Sequence, residues 1–397
     1  MRAGWKSTTL GEAFTTVTGN TPPKNNADFY GDFIPLVKPP ELCDAPFDSA
    51  EDGLSESGAA IARTLPPRSI LVSCIGNLGK IGLNAVPVAF NQQINAILPD
   101  ESQAIPEFMF FQVLSPTFKE QLESLASGTT VPIVNKSKFN SIGIVLPPLA
   151  EQRRIVGILD EVFEGLATAK ANAKQNLQNA RALFESHLQA VFTQRGDGWV
   201  EKRLGDIAEF KNGLNYTKSS NGQTLPVVGV GDFQTNYIVP MDELETATID
   251  GTLADDYAIR RNDILTVRSN GSKDLVGRCM LVPDVTEVTS YSGFIIRIRF
   301  DEAVIAPRFL LHFLKSSDTR SRLTSEGGGA NISNINQTKL SSLPVMVPPF
   351  AAQSAIAHTL DELRIETQRL ESLYQRKLAA LDELKKSLLH RAFSGQL

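Results

Sequence analysis

The chain has 397 residues, 42% of them hydrophobic, and its 39 Lys and Arg against 44 Asp and Glu give a net charge of -5. This length and composition allow two or three folded domains and exclude a wholly disordered chain, while three scattered cysteines exclude a disulfide framework and a zinc site. The sequence has neither a signal-peptide pattern at its start nor a run of 18 apolar residues, which favours a soluble cytoplasmic protein.

The first module is predicted to span residues 1–146 and to mix strands with helices. Short apolar runs bounded by Gly, Pro and Asn predict strands at residues 34–37, 69–73, 81–83 and 94–98. A proline at the start of an apolar face predicts a helix over residues 105–114.

A long helix is predicted next, over residues 147–195. Pro147 and Pro148 suit a helix start, and roughly 43 residues without proline follow them. Their apolar side chains repeat with the 4-3 spacing of a coiled-coil seam. Because helices average only about 11 to 12 residues, this one is expected to act as a spacer.

The same pattern then returns. Residues 146–152, Leu-Pro-Pro-Leu-Ala-Glu-Gln, are echoed by residues 347–353, Val-Pro-Pro-Phe-Ala-Ala-Gln. A second module is predicted over residues 196–347 and a second long helix over residues 348–397. The predicted fold is therefore α+β, with two similar α/β modules joined by two long antiparallel coiled-coil helices in a pseudo-twofold internal repeat.

The two helices are expected to pair antiparallel, because the first delivers the chain to the second module and the second must return along it. A flush register places Ile155 opposite Leu388 and Asn176 opposite Thr367, with a solvent-facing Asn176 as the alternative. Apolar side chains off this seam are predicted to need cover from a partner protein: Phe163, Phe184, Ile365 and Leu373.

The sequence predicts no catalytic residue and no metal ligand. Residues 347–350, Val-Pro-Pro-Phe, are similar to the motif of amino-methylating DNA methyltransferases, but Val347 cannot accept a hydrogen bond from a target amine. Residues 229–231, Gly-Val-Gly, are not followed by a helix start, as a cofactor loop requires.

Binding chemistry is better represented. In the second module, basic and amide side chains surround residues 269–272, Ser-Asn-Gly-Ser, where Arg suits guanine, Asn suits adenine and backbone amides suit phosphate. In the first module the corresponding set is amide-rich and less basic. The candidate DNA-binding residues are Lys24, Asn25, Asn77, Lys80, Asn91, Gln92, Tyr216, Lys218, Arg260, Arg268, Asn270, Lys273 and Arg278.

The chain closely resembles the specificity subunit of type I restriction-modification enzymes. The resemblance rests on the order of modules and helices, on residues 146–152 and 347–353, on Ile264-Leu265, on Val276-Gly277-Arg278, and on the region of Gly128 and Asn135.

This resemblance implies a non-catalytic DNA reader whose two target-recognition domains each read half of a bipartite site. The helices would hold two methyltransferase subunits, with Gln152 and Gln353 of the two echoed segments expected to help dock them. The partners, and not this chain, would bind S-adenosylmethionine, and an ATP- and Mg²⁺-dependent restriction subunit can join them.

The residues alone leave three other functions open. The chain can be an orphan reader serving a methyltransferase without restriction, a free DNA-binding regulator, or a structural protein whose helices join two carbohydrate-binding or protein-binding modules.

Overall fold

The structure is a computed structural model that describes residues 4–128, 130–194, 196, 198–217, 219–234, 236–272, 274–325 and 334–397. The chain divides into two compact units. Unit 1 comprises Met1–Lys174 and Gln375–Leu397, and unit 2 comprises Gln175–Tyr374. Each unit therefore contains one module and a part of both long helices, whereas the sequence suggested four consecutive segments.

Unit 1 contains the first module. Its strands are β1 (Lys6–Thr9), β2 (Thr15–Thr18), β3 (Tyr30–Val37), β4 (Ala45–Phe47), β5 (Gly53–Leu54), β6 (Thr64–Leu65), β7 (Ile70–Ser73), β8 (Ile81–Asn84), β9 (Val88–Phe90), β10 (Ile94–Leu98) and β11 (Gly143–Leu146). Its helices are α1 (Leu10–Ala13), α2 (Glu56–Ile61), α3 (Pro106–Leu114), α4 (Pro116–Ser124) and α5 (Lys136–Asn140), followed by the long α6 (Leu149–Thr193), which continues into unit 2. The sheets have the strand orders β2-β10-β7-β8-β4, β5-β3-β9-β6 and β1-β11.

Unit 2 repeats this plan. Its strands are β12 (Val200–Arg203), β13 (Ala208–Asn212), β14 (Thr224–Val228), β15 (Thr246–Thr248), β16 (Ile264–Val267), β17 (Cys279–Leu281), β18 (Ser290–Tyr291), β19 (Ile295–Phe300) and β20 (Pro344–Val347). Its helices are α7 (Pro307–Lys315), α8 (Ser317–Ser325), α9 (Gln337–Ser342) and the first part of the long α10 (Phe350–Phe393). Short 3-10 turns occur at Ala27–Phe29, Pro39–Glu41, Leu204–Asp206, Val230–Phe233, Met241–Glu243 and Asp255–Tyr257.

The strand order β13-β19-β16-β17 corresponds to β2-β10-β7-β8, and the pair β12-β20 corresponds to β1-β11. The repeat extends to individual atoms. Asn135 caps α5 by accepting the Lys138 N–H at 2.9 Å, and Asn336 caps α9 by accepting the Lys339 N–H at 2.8 Å. The predicted internal repeat and α+β class are confirmed.

Both long helices are part of the core of each unit. In unit 1 the fully buried Phe108 of α3 packs with Leu159 of α6 and Leu389 of α10, and its ring lies 5.3 Å from that of Phe393. In unit 2 Ala357 of α10 belongs to the core around α7. Burial of apolar side chains therefore anchors each module to both helices, at about 25 cal/mol per Å² of apolar area removed from water.

A buried glutamine fixes each helix start to its module. Gln152 Oε1 accepts the Ile105 N–H at 2.9 Å, while its Nε2 donates to the carbonyl oxygens of Gln103 and Pro147. Gln353 makes the equivalent bonds with Ala306, Val304 and Pro348. Both side chains are buried and hydrogen-bonded within the chain, so the prediction that they contact a partner is wrong.

The helices run antiparallel in both units, as contacts between them show. In unit 1 Lys170 pairs with Asp382, and Arg154 donates to Leu397 O at 2.8 Å. In unit 2 Arg181 pairs with Glu371 at 2.9 Å, and Leu188 lies in one apolar cluster with Leu360. Residue numbers rise along α6 as they fall along α10, which confirms the predicted antiparallel pairing.

The predicted flush register is wrong, and the alternative with a solvent-facing Asn176 is confirmed. Asn176 is exposed, and the buried Thr367 donates its hydroxyl to Leu363 O of its own helix at 2.9 Å, so the two do not form a polar layer. Phe184 and Leu188 are buried where the strict 4-3 series placed residues 183 and 187. A straight α-helix has 3.6 residues per turn and drifts away from a strict 3.5-residue repeat.

Two predicted partner-binding residues pack within their own unit. Phe184 packs on Leu360 within unit 2. Phe163 is half-buried in unit 1, 5.5 Å from the Phe111 ring in an edge-on contact. Ile365 and Leu373 remain exposed, at 55% and 49%.

Candidate nucleic-acid interface

Three loops of unit 1 converge at one edge of the sheet that contains β2, β10 and β7: residues 19–26, 74–80 and 91–93. Hydrogen bonds between backbones join them, from Gly19 N–H to Ile94 O at 3.1 Å and from Cys74 N–H to Gln93 O at 2.7 Å. The loops carry six of the predicted DNA-binding residues.

Four of these six side chains are exposed on the loops: Lys24, Asn25, Asn77 and Gln92. Gln92 Oε1 accepts the Thr21 hydroxyl at 3.1 Å, which ties two of the loops together. Lys80 is half-buried. Asn91 is buried, and its side chain exchanges two hydrogen bonds of 3.0 Å with Gln93, so it holds the turn and does not read DNA.

Unit 2 brings together the equivalent loops: residues 213–217, 268–278 and 292–294. The joining bonds recur, from Gly213 N–H to Ile295 O at 3.0 Å and from Arg268 N–H to Phe294 O at 2.9 Å. Phe294 is 60% exposed on this surface and was not singled out from the sequence. An exposed aromatic ring beside donor-rich loops suits contact with a base or a thymine methyl group.

A glycine permits the close approach of the first loop in each unit. A Cβ atom on Gly19 would lie 2.2 Å from Asn91 O, and one on Gly213 would lie 2.3 Å from Ser292 O. Any larger residue would separate the loops, which explains why both modules have glycine here.

The best-placed candidates for base contact in unit 2 are Arg268 and Asn270. Arg268 is half-buried, and its Nε has no hydrogen-bond partner in the part of the chain that the structure describes. Asn270 Oδ1 accepts the Ser272 N–H at 2.8 Å, which fixes its side chain on the loop. An unsatisfied guanidinium nitrogen is costly unless a ligand supplies the acceptor.

Tyr216 lies beside these loops and is half-buried. Burial, followed by the negative charges of Glu245 and Asp232, raises the pKa of its phenol above the ordinary value, although a hydrogen bond with Ser292 opposes the shift. The hydroxyl therefore stays protonated near neutral pH and can donate. The predicted candidates Lys218 and Lys273 lie outside the described residues.

Arg260 does not share this surface. It precedes β16, whereas Arg268 follows β16, and a strand of four residues spans about 13 Å. Its N–H binds Asp263 Oδ2 at 2.7 Å in the turn that enters the strand. The sequence placed Arg260 with the loop because the two are close in number, and the strand between them separates them.

Arg278 ends the loop of residues 268–278, and its side chain lines a cavity of about 520 Å³ within unit 2. Its Nε donates to Asp274 O at 2.9 Å and its Nη1 donates to Gln234 O. Lys315 and Arg320 line the same cavity and were not predicted, because the end of α7 and the start of α8 bear no sequence signal for binding.

The described residues contain no group of three or more His, Cys, Asp or Glu side chains placed to hold a metal ion. Cys74 and Cys279 are buried, and burial raises the pKa of both thiols, that of Cys74 to about 12. Neither thiol is therefore a ready nucleophile. No helix in the described ranges is long and apolar enough to cross a membrane.

Comparison with known proteins agrees with this picture. The sequence model of the type I restriction modification DNA specificity domain matches residues 2–179 and 196–377. The StySPI specificity subunit of a type I restriction enzyme from Salmonella potsdam is 24% identical over 99% of this chain and 89% of its own length.

Two solved structures share the fold. A chain from work on complex assembly and conformational transition of the type I restriction-modification system matches with a TM-score of 0.82 at 20% identity, covering 100% of this chain and 99% of that chain. The HsdS subunit from Thermoanaerobacter tengcongensis matches with a TM-score of 0.62 at 19% identity, covering 100% and 98%.

Two modules of one fold, each with its own polar loop surface, are the architecture of a DNA specificity protein. The chain belongs to the type I restriction-modification DNA specificity family and is a specificity subunit of such a system.

Proposed function

We propose that the chain reads a bipartite DNA sequence, each module binding one half through its three converging loops. One observation carries the proposal: the two units hold these loops with the same backbone bonds but place different side chains on them. Unit 1 offers exposed amides, whereas unit 2 offers Arg268, Asn270 and Phe294. Different donors and acceptors discriminate different base edges in the major groove.

The chain itself is not a catalyst in this proposal. Two methyltransferase subunits, identical or related, dock on the long helices and bind S-adenosylmethionine, and a restriction subunit that uses ATP and Mg²⁺ can join them in the prokaryotic cytoplasm. Exposed apolar side chains support the docking: Ile365 and Leu373 on α10, and Leu183, which is 51% exposed, on α6. Such groups cost free energy in water unless they are covered.

The direct test is to map methylated adenines in the host genome with and without the gene for this chain. We expect one bipartite motif to lose methylation when the gene is deleted and to regain it on complementation. Replacing residues 204–343 with the second module of a relative should change only one half of the motif. An unchanged methylation pattern after deletion would contradict the proposal.

The purified chain should transfer no methyl group from S-adenosylmethionine to the motif and should not cleave it. Adding the copurifying methyltransferase subunits should restore transfer. Cleavage that requires ATP on addition of a further subunit would distinguish a restriction complex from a reader that serves methylation alone.

A further inference from the structure

The cavity beside Arg278 collects positive charge. Among the described residues that line it are five cationic side chains and two carboxylates: Arg181, Arg278, Lys315, Arg320, Arg364, Glu185 and Glu371. They come from α6, α7, α8, α10 and the loop before β17, all within unit 2. A local excess of cations in a chain of net charge -5 indicates a binding site for an anion.

Among the described residues, the hydrogen bonds of Arg278, Lys315 and Arg320 go to backbone carbonyl oxygens and not to carboxylates. Arg320 Nε donates to Val276 O at 3.2 Å, and Lys315 Nζ donates to the carbonyl oxygens of Cys279 and Asn236 at 3.0 and 3.2 Å. The two hydrogen bonds of Arg278 also go to carbonyl oxygens. These bonds hold the three cationic side chains in the lining of the cavity.

Burial and the neighbouring cations both affect the ionisation of Lys315. Burial lowers its pKa to about 8, and Arg278, Arg364 and Arg320 contribute in the same direction, although Cys279 opposes them. A negatively charged ligand in the cavity would relieve this repulsion. Burial also raises the pKa of Glu185, an acid that lines the same cavity, although the positive charges of Lys315 and Arg320 oppose this shift.

Unit 1 has a related cluster. A Cβ atom on Gly79 would lie 3.9 Å from Lys119 Cγ, and one on Gly277 would lie 3.3 Å from Arg320 Cγ. Both glycines have positive φ, +74° and +79°, and Lys80 follows the first as Arg278 follows the second.

Lys119 pairs with Asp44 at 2.9 Å, so the cluster of unit 1 is more nearly neutral. Burial lowers the pKa of the adjacent Lys385. The negative charge of Asp44 raises this pKa, and the positive charges of Lys170 and Lys119 lower it. The two modules thus retain basic positions at matching places while their reading loops differ. Basic positions common to both modules suit a part of the ligand that is the same for every base sequence.

We propose that the cavity of unit 2 binds a DNA backbone phosphate through Arg278, Arg320 and Lys315, and that Lys80 and Lys119 of unit 1 form a weaker counterpart. This rests on the proposed function. Phosphate has three strong acceptors and suits the forked donors of two arginines beside an ammonium group. Such a contact sets the position of the module on the duplex and leaves the choice of bases to the loops.

The test uses the full-length chain in complex with its copurifying methyltransferase subunits, and duplexes that carry the motif mapped by methylation. Single phosphates are replaced in turn by neutral methylphosphonates, and affinity is measured for the wild type and for Arg320→Gln. Arg203→Gln, an exposed arginine of β12, is the control with the same change of charge. Arg320→Lys tests rescue, and thermal unfolding of each variant confirms folding.

We expect one phosphate near the half-site of unit 2 whose neutralisation weakens wild-type binding roughly 10-fold to 100-fold, the range of a charge-assisted hydrogen bond. Arg320→Gln should weaken binding equally for cognate and unrelated duplexes and should respond less than the wild type to neutralisation of that phosphate. The slope of log K against log salt should fall by about 0.9 per lost contact. Arg320→Lys should keep most of the affinity, and Arg203→Gln should behave as wild type.

The proposal is wrong if folded Arg320→Gln keeps the wild-type response at every phosphate. It is equally wrong if this variant binds DNA normally but loses methyltransferase subunits, because the cavity would then hold an acidic segment of a partner. Failure of the proposed function looks different, since the wild-type complex itself would not prefer the mapped motif over an unrelated duplex.

Discussion

Arg268 is the residue whose environment most directly suggests base contact, because its Nε is buried without a partner among the described residues. We predict that Arg268→Ala relaxes recognition in one half-site only, with a loss of about 1 to 3 kcal/mol of discrimination if the contact is bidentate. Asn270→Ala should act in the same half-site. Sequencing of the methylated motifs in cells that express each variant measures the effect.

Arg260→Ala is the matched control, since Arg260 lies at the other end of β16 and should leave the motif unchanged. An equal loss in both half-sites for Arg268→Ala would instead indicate a phosphate contact or a folding defect.

We expect Gln152 to contribute to the stability of the fold and not to DNA recognition. We predict that Gln152→Leu lowers the free energy of unfolding by about 1 to 3 kcal/mol, because the part-buried Ile105 N–H loses its acceptor. Gln178→Leu, an exposed position on the same helix, should change it much less. Urea unfolding of the full chain compares the two, and similar midpoints would show that the buried amide is dispensable.

At the scale of elements, the sequence predicted the regular parts well. The runs at residues 70–73 and 94–98 are strands because they are apolar, β-branched and bounded by turns, and the helix at residues 105–114 begins at Pro106 as predicted. The predicted long helices agree with α6 and α10 to within a few residues.

The sequence could not predict which face of each element is buried, because tertiary contacts decide this. Gln152 lies in the repeated motif that the sequence linked to partner docking. Backbone groups of a loop distant in sequence nevertheless bury its side chain. Phe184 and Leu183 are adjacent, and only the accumulated twist of a straight helix decides which one is buried. The charged residues around Lys315 come from five segments of the chain, so no local pattern predicts the cavity.

The exposed apolar face of α10 leads to a prediction for partner binding. Ile365→Asp with Leu373→Asp should abolish copurification of a methyltransferase subunit, because two charges would be buried in the contact. Both side chains are exposed in this chain, so its thermal unfolding should change little. Ser387→Asp, exposed on the same helix, is the control, and retention of partners by the double variant would contradict docking on this face.

At the scale of the whole molecule, the paired helices are predicted to set the spacing of the DNA motif. Inserting four residues after Lys174 and four after Tyr374, at the boundary of the compact units, adds about 6 Å of helix to each. Because one base pair occupies about 3.4 Å, the gap in the methylated motif should lengthen by one or two base pairs. Both half-site sequences should stay unchanged, since no loop is altered.

Insertion of the same four residues in only one helix is the control, because it disrupts the pairing and should abolish methylation. A motif with the original gap after the double insertion would show that the helices do not determine the spacing.

The two ion pairs between the helices make the duplicated halves complementary to each other. The repeat superimposes Lys170 on Glu371 and Arg181 on Asp382, so each half presents one sign of charge at these positions. If the first half met a copy of itself, Lys170 would face Arg181, and in a pair of second halves Glu371 would face Asp382. Like charges would repel in both mismatched pairs. The two copies of the repeat thus carry complementary charges on their long helices. These charges favour pairing of the first half with the second half over pairing of either half with a copy of itself.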